Sequence, residues 1–262
     1  MTPGKGAERA FRALGDPRSR PNRRWLDGLL GSSDREGTDG LLDELGACLD
    51  VEREIRRRHR EAGRPTYAQF RAPFELYALV RRLRPEHVVE TGVSSGVSSA
   101  HFLLALQKNG RGTLHSIDRP TLQRGRRFTA RDSPVALPPG RATGWAVPDG
   151  LRADWDLRIG PSQRLLPELV RELPTVGLFL HDSLHTAGHL TFELETVRPK
   201  LSPGAVVLAD NTVWTGRAFP RFARSLEVPV VRRGRTDLVG LRVPEGPEPP
   251  ARGGGAGRPP SL

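Results

Sequence analysis

The sequence offers little with which to staple a fold or cross a bilayer. A single cysteine, Cys48, among 262 residues excludes an intramolecular disulfide framework and fits a reducing compartment. No run approaches the ~18 consecutive apolar residues of a membrane span. The first thirty residues are polar and rich in Gly, Pro and Arg, without the apolar centre of a secretory signal. The expectation is a cytoplasmic protein with no membrane contact. Aromatic residues make up only 6% of the chain, and they do not alternate with basic residues as single-strand nucleic-acid platforms require. Lysine is scarce as well: of 41 basic residues only Lys5, Lys108 and Lys200 are lysine, so the net charge of +11 is an excess of arginine. Spread so evenly, beside abundant Ala, Gly and Pro, it reads as coding bias rather than a phosphate-binding patch. The longest basic cluster, Arg56-Arg57-Arg58-His59-Arg60, lies among Glu52, Glu54 and Glu61 and predicts a solvated helix face. Nucleic acid is not the expected partner.

What is present suffices for one large core with appendages. Residues 1–21 and 244–262 are Gly-, Pro- and Arg-rich without periodicity and are expected to be disordered. Residues 22–85 read as a helical segment. Thr38-Asp39 can cap a helix carrying Leu41, Leu42, Leu45, Leu49 and Ile55, and Gly63-Arg64-Pro65 breaks it. A second helix starts near Pro73, places Leu76, Leu79, Val80 and Leu83 on one side, and stops before Pro85. Over 86–243 the pattern changes: strand-length apolar runs at 88–91, 114–118, 157–160, 176–182 and 205–210 are mostly separated by helical stretches at 97–108, 162–172 and 187–201. Such alternation predicts an α/β fold, a parallel sheet covered by helices on both faces. Two last strands, 228–232 and 237–243, are joined by 233–236, too short for a crossover helix, so they form an antiparallel hairpin. The long 119–156 segment is expected to be functional or mobile.

The strongest local feature is Val88-Val89-Glu90-Thr91-Gly92-Val93-Ser94-Ser95-Gly96-Val97-Ser98, a buried strand running through a glycine turn into a helix of small residues. Glycine admits close backbone approach, and a helix start offers free N–H donors. Asp118 closes the second strand, where an acid can accept hydrogen bonds from both hydroxyls of a ribose. An ordinary strand–helix turn with a loop aspartate is the plainer account, but two features coincide at the right strand ends. This pairing alone fits either a nicotinamide dinucleotide or S-adenosylmethionine. G-x-G-x-x-G is lacking, Glu90 would repel a pyrophosphate, and the terminal hairpin departs from an all-parallel sheet; all three favour S-adenosylmethionine.

With these residues the sequence resembles the class I S-adenosylmethionine-dependent methyltransferase superfamily over roughly 66–243. Glu90, Gly92 and Gly96 match its first motif, Asp118 its ribose-binding acid, and Gly160-Pro161-Ser162 its adenine-side turn, although proline departs from the usual acidic or polar residue. The resemblance implies a Rossmann-like three-layer sandwich with strand order 3-2-1-4-5-7-6. It also implies cofactor contacts at Glu90, Thr91, Gly92, Ser94, Gly96, Asp118, Ser162 and Asp182. Phe179-Leu180-His181-Asp182-Ser183-Leu184-His185-Thr186 and Asp210-Asn211-Thr212-Val213-Trp214 lie at the exits of strands four and five, where ligands of open parallel sheets bind. The second of these runs is similar to the matching segment of metal-dependent catechol and caffeoyl-CoA O-methyltransferases. That resemblance implies Asp182, Asp210 and Asn211 as ligands of a divalent ion such as Mg²⁺.

Those families usually carry lysine where this chain has His185. The Asp-x-x-His version instead resembles small-molecule methyltransferases that include sugar O-methyltransferases of macrolide pathways. His185 is then a candidate base, with Asp182 beside it, or a metal ligand. His181 reads equally well as a strand-end histidine bonded to backbone, and His189 as a structural residue; His59, His87 and His101 have no chemical neighbourhood. Trp145 and Trp155 are candidates for a lid or acceptor wall, with packing against the third strand the rival account of Trp155, and Trp214 is the better candidate for lining the acceptor pocket. The expected activity is methyl transfer to a hydroxyl of a small molecule, with metal assistance. An RNA methyltransferase, a nicotinamide oxidoreductase and a non-catalytic module are the rivals. The acceptor is not legible, nor is oxygen distinguished from nitrogen, and the 22–85 helices could cover the pocket or mediate a homodimer.

Overall fold

The computed structural model describes residues 19–30, 40, 44–63, 72–120, 137–234 and 236–246. Seven strands form one sheet in the order β3-β2-β1-β4-β5-β7-β6. They are β1 (His87–Thr91), β2 (Thr113–Asp118), β3 (Trp155–Ile159), β4 (Val176–His181), β5 (Leu201–Ala209), β6 (Val231–Arg232) and β7 (Val239–Arg242). The first five run parallel, while β7 is antiparallel to both β5 and β6. This is the predicted order and hairpin.

Side chains alternate across the strands, and each face has its own helical layer. Val88, Leu114, Leu178, Leu180, Val206 and Leu208 face one core. It is closed by α1 (Arg20–Leu30), α2 (Leu45–Glu61), α3 (Pro73–Leu83) and α4 (Val97–Asn109). Val89, Ile117, Phe179, Val207, Val239 and Leu241 face the other, closed by α5 (Ser162–Glu172), α6 (Ala187–Val197) and α7 (Ala218–Ser225). The result is the expected Rossmann-like three-layer sandwich with an N-terminal helical extension.

That extension is part of the core. Trp25, Leu26, Leu29 and Leu30 lie on one side of α1 and are buried, and a Cβ on Gly28 would meet Val231 at 2.9 Å. α1 therefore covers the β6–β7 edge, where an apolar sheet face would otherwise meet water. Arg20 and Pro21, expected to be disordered, begin this helix, because Pro is tolerated in a first helical turn. In α3 the buried Glu75 carboxylate accepts from Arg233 Nε at 2.9 Å and Nη2 at 2.5 Å, tying the extension to the hairpin loop.

Several boundaries moved for local reasons. The helix predicted over 187–201 ends at Val197, and residues 198–200 form a single 3₁₀ turn, because Pro199 cannot continue an α-helix. β5 consequently begins at Leu201 rather than 205. β6 is reduced to two residues, with Pro229 unable to donate to a ladder. The short helix α7 had not been predicted; its buried face is Ala218, Phe219, Phe222 and Ala223. The expected cap at Thr38-Asp39, the positions of Leu41 and Leu42, residues 1–18 and 247–262, and 121–136 of the long loop lie outside the described residues. No helix among the described residues is long and apolar enough to cross a membrane.

Candidate active site

The candidate site residues gather at the carboxyl ends of β1, β2, β4 and β5, where ligands of open parallel sheets bind. At the end of β1, Glu90 is fully buried and accepts hydrogen bonds from the hydroxyls of Ser98, Ser99 and Ser116. Burial pushes its carboxyl up to about 7; the three hydroxyls oppose that shift and the charge of Asp182 adds to it. Glu90 thus binds the strand to the first turn of α4. Gly92 follows with φ +88°, and a Cβ there would lie 2.0 Å from the carbonyl oxygen of Asp182. Only glycine lets the β1 exit pass so close to the β4 exit. Gly96, φ +93°, is held to glycine by Val147, whose Cγ2 would lie 2.4 Å from an added Cβ. The sequence suggested that both glycines admit a ligand; the groups that approach them here are other parts of this chain.

Asp118 ends β2 with its carboxylate turned back to the glycine turn. Oδ1 accepts the Val93 N–H at 3.2 Å and Oδ2 accepts the Thr143 hydroxyl at 2.7 Å. The turn leaving β1 and the acid closing β2 therefore share one crevice. Ser94 lies in the same turn at φ +51°, its carbonyl accepting the Gly144 N–H at 2.8 Å. Ser162, at the start of α5, places its hydroxyl 3.1 Å from His189 Nε2.

The other half of the cleft is acidic. The Asp182 N–H donates to Thr91 O at 2.8 Å and the Asp210 N–H to His181 O at 3.0 Å, so each acid extends the sheet by one rung past its strand. His185 Nε2 lies 3.3 Å from Asp182 Oδ1, and the Asn211 amide nitrogen lies 3.5 Å from both His185 Nε2 and Asp210 Oδ2. Asn211 reaches this place in a left-handed backbone conformation, φ +52°. Burial and the charge of Asp118 push Asp182 up to about 8; the side chain keeps 25% of its surface exposed, so solvent at the cleft mouth moderates that rise. Burial first, then the charge of Asp182, pushes Asp210 up to about 7, with Asp237 adding and Asn211 and His185 opposing. His185 is pushed below the usual imidazole range by burial, against the charges of Asp210 and Glu193. Around these groups Leu184, Val213 and Trp214 are exposed, and the Trp214 and His185 rings lie 5.8 Å apart.

Comparison with known proteins agrees with this geometry. The methyltransferase-domain family model matches residues 89–212, from the glycine-turn strand to just past Asp210-Asn211. Over that segment the chain is similar to a methyltransferase domain, carried on the Rossmann-like sheet described above. Among solved structures, a candidate O-methyltransferase from Klebsiella pneumoniae superposes with a TM-score of 0.51 at 20% identity, covering 75% of this chain and 90% of that one. An O-methyltransferase from Bacillus cereus in complex with SAH gives 0.50 at 15% identity, covering 74% and 90%. At these identities the two structures bear on the fold alone. No curated protein matches the chain.

Sequence reasoning passed over one residue central to the candidate site. Glu193 on α6 is fully buried. Its Oε2 accepts Thr91 Oγ1 at 2.6 Å and His181 Nδ1 at 2.7 Å, and its Oε1 accepts Ser183 Oγ at 3.0 Å and lies 2.8 Å from His189 Nε2. Burial alone would raise this carboxyl, but the bonds and charges of His181 and His189 hold it below the usual range. It pins the exits of β1 and β4 together beneath the cleft. In the sequence it stands in a helical stripe beside Leu190, Leu194 and Val197, where an acid gives no sign of burial. His181 is therefore bonded to a side chain rather than to backbone, and His189 joins the same network through Glu193, Ser162 and Gln163.

The basic cluster on α2 also differs from a purely solvated face. Arg56 and Arg57 pair with glutamates of their own helix. Arg58 pairs with Glu54 of the same helix at 2.7 Å and also reaches the Val147 carbonyl at 3.0 Å, while the His59 ring lies 4.9 Å from that of Trp145. Trp145 is thereby a packing residue of the long connection. Trp155 is the first residue of β3 and donates its indole N–H to Ser116 Oγ at 2.9 Å.

The donor chemistry around Asp182 and Asp210 suits a hard divalent cation: two half-buried carboxylates, an amide and an imidazole. No lysine or arginine among the described residues pairs with either acid. No group of three His, Cys, Asp or Glu side chains is gathered as a metal cage among the described residues, so a third protein oxygen would have to come from Asn211.

Proposed function

We propose that the enzyme methylates a hydroxyl of a small molecule, with a divalent ion such as Mg²⁺ held by Asp182, Asp210 and Asn211. The observation that carries this reading is the meeting of Asp182, His185, Asp210 and Asn211 at the exits of β4 and β5, under the exposed Leu184, Val213 and Trp214. An apolar rim over a few convergent polar groups is the form of a small-molecule pocket.

In this reading Gly92, Ser94 and Gly96 shape the backbone around the cofactor, Glu90 and Thr91 hold that backbone in place, and Asp118 accepts from the ribose. Ser162 and Asp182 complete the cofactor's surroundings. The cofactor supplies an activated methyl on a sulfonium; transfer forms an O–CH₃ bond, breaks the S–CH₃ bond and leaves S-adenosylhomocysteine. The ion supplies charge that lowers the acceptor hydroxyl's pKa. His185 takes the hydroxyl proton, and its burial suits that task because the ring stays neutral near neutral pH. Trp214 gives an acceptor a flat apolar wall, and closing such a site aligns the reactants and excludes water.

Residues 86–243 would form the catalytic domain and the 22–85 helices its support. Incubating the chain with methyl-labelled cofactor and a panel of catechols, hydroxylated sugars and transfer RNA, with Mg²⁺ or with chelator, tests this function. Label in small hydroxylated acceptors, stimulated by Mg²⁺, is the expected result. Label confined to RNA would overturn the reading.

A further inference from the structure

The connection between β2 and β3 contributes a turn, 143–147, that was not marked by any strand exit. Its backbone is fastened to the glycine turn: Gly144 N–H donates to Ser94 O at 2.8 Å and Ala146 N–H to Ser95 O at 3.0 Å. Its carbonyls are taken as well, with Arg152 Nη2 donating to Gly144 O at 2.7 Å and to Val147 O at 3.0 Å. Gly144 sits against the Trp155 ring so closely that a Cβ would lie 2.2 Å from it. A backbone fixed from this many sides cannot drift, so the side chain it turns toward the end of β2 is fixed too.

That side chain is Thr143, buried at 6% exposure, whose hydroxyl donates to Asp118 Oδ2 at 2.7 Å. The opposite oxygen, Oδ1, accepts the Val93 N–H at 3.2 Å. A carboxylate oxygen has two acceptor positions. One donor on each oxygen fixes the plane of the group and leaves one position on each oxygen for a vicinal pair of hydroxyls. We propose that Thr143 is a positioning residue for the ribose of the cofactor, acting through Asp118; this rests on the cofactor reading above. Without its hydroxyl the carboxylate is held at one oxygen only, and the diol must meet an acid that rotates.

The test is calorimetric titration of the full chain with S-adenosylhomocysteine and with its 2′,3′-dideoxy counterpart. For S-adenosylhomocysteine, Thr143→Val should raise the dissociation constant about five- to thirtyfold, while Thr143→Ser stays within about threefold of the native chain. For the dideoxy ligand, Thr143→Val and the native chain should agree within about twofold, a selectivity that general damage to the fold would not produce. Should valine upset the turn, Thr143→Ala is read by the same ratio. Unchanged binding of S-adenosylhomocysteine, or equal losses for both ligands, overturns the role of Thr143. A native chain that does not bind S-adenosylhomocysteine overturns the cofactor reading itself, so the two failures are distinct.

Discussion

At the exits of β1 and β2, where the cofactor is proposed to bind, the acids are met by donors from their own chain: three serine hydroxyls at Glu90, and Val93 N–H with Thr143 at Asp118. At the exits of β4 and β5, the proposed acceptor side, the charge of Asp182 raises the pKa of Asp210, and the only close polar partners of the two acids among the described side chains are His185 and Asn211 at 3.3 and 3.5 Å. The first half is a finished mould whose polar groups hold a shape. The second holds two acids whose charged forms folding disfavours, a cost that a bound cation would remove. The contrast assigns recognition of a fixed cofactor to one half and chemistry on a variable partner to the other.

Removing an acid from the unfinished half should cost activity and gain stability. Asp210→Ala is expected to lower Mg²⁺-stimulated methyl transfer at least about a thousandfold, read as initial rate at saturating cofactor. The same change should raise the melting temperature by about 2–4 °C, because a repelled buried carboxylate is gone. A lower melting temperature would mean that Asp210 is already paired, and the contrast would fail. Glu193→Gln should behave oppositely. Four donors converge on that carboxylate, an amide cannot accept them all, and unfolding in urea should show a loss of about 3–5 kcal/mol.

Glu90 sharpens the comparison through pH. Its folded pKa of about 7 stands above its ordinary 4.5, so between these values the folded chain holds more protons than the unfolded one. Stability contributed by this group is greatest below that window and falls as pH rises through it, by about 3 kcal/mol in all. Urea unfolding at pH 5 and pH 8 should therefore show a larger drop for the native chain than for Glu90→Gln; equal drops would contradict the assignment. The smallest effect is expected at Trp214, which is 42% exposed. Trp214→Ala should raise the acceptor KM about tenfold and leave cofactor binding unchanged, whereas a change in cofactor binding would place the indole on the wrong side of the cleft.

How much of this was legible beforehand follows from where each signal lives. The glycine turn, Asp118, Asp182-x-x-His185 and Asp210-Asn211 each sit at a strand exit, where a few adjacent residues carry both the secondary-structure change and the chemistry. The sheet order and the hairpin were legible because apolar runs and a short link fix them locally. Glu193 was not, since its burial depends on Thr91, His181 and His189 arriving from other elements. Thr143 was not either: its turn is fastened by backbone groups of Ser94 and Ser95, which leave no pattern in residue types. The Glu75–Arg233 pair joins segments 158 residues apart, a distance at which periodicity says nothing. α7 spans only eight residues, too few for a helical period to stand out beside Pro220.

The most direct measurement sets the two halves against each other in one experiment, the calorimetric titration of S-adenosylhomocysteine into Asp118→Ala and Asp210→Ala. A division of labour across the cleft predicts a dissociation constant at least about fiftyfold weaker for Asp118→Ala and within about twofold of native for Asp210→Ala. Affinity kept by Asp118→Ala and lost by Asp210→Ala would contradict it.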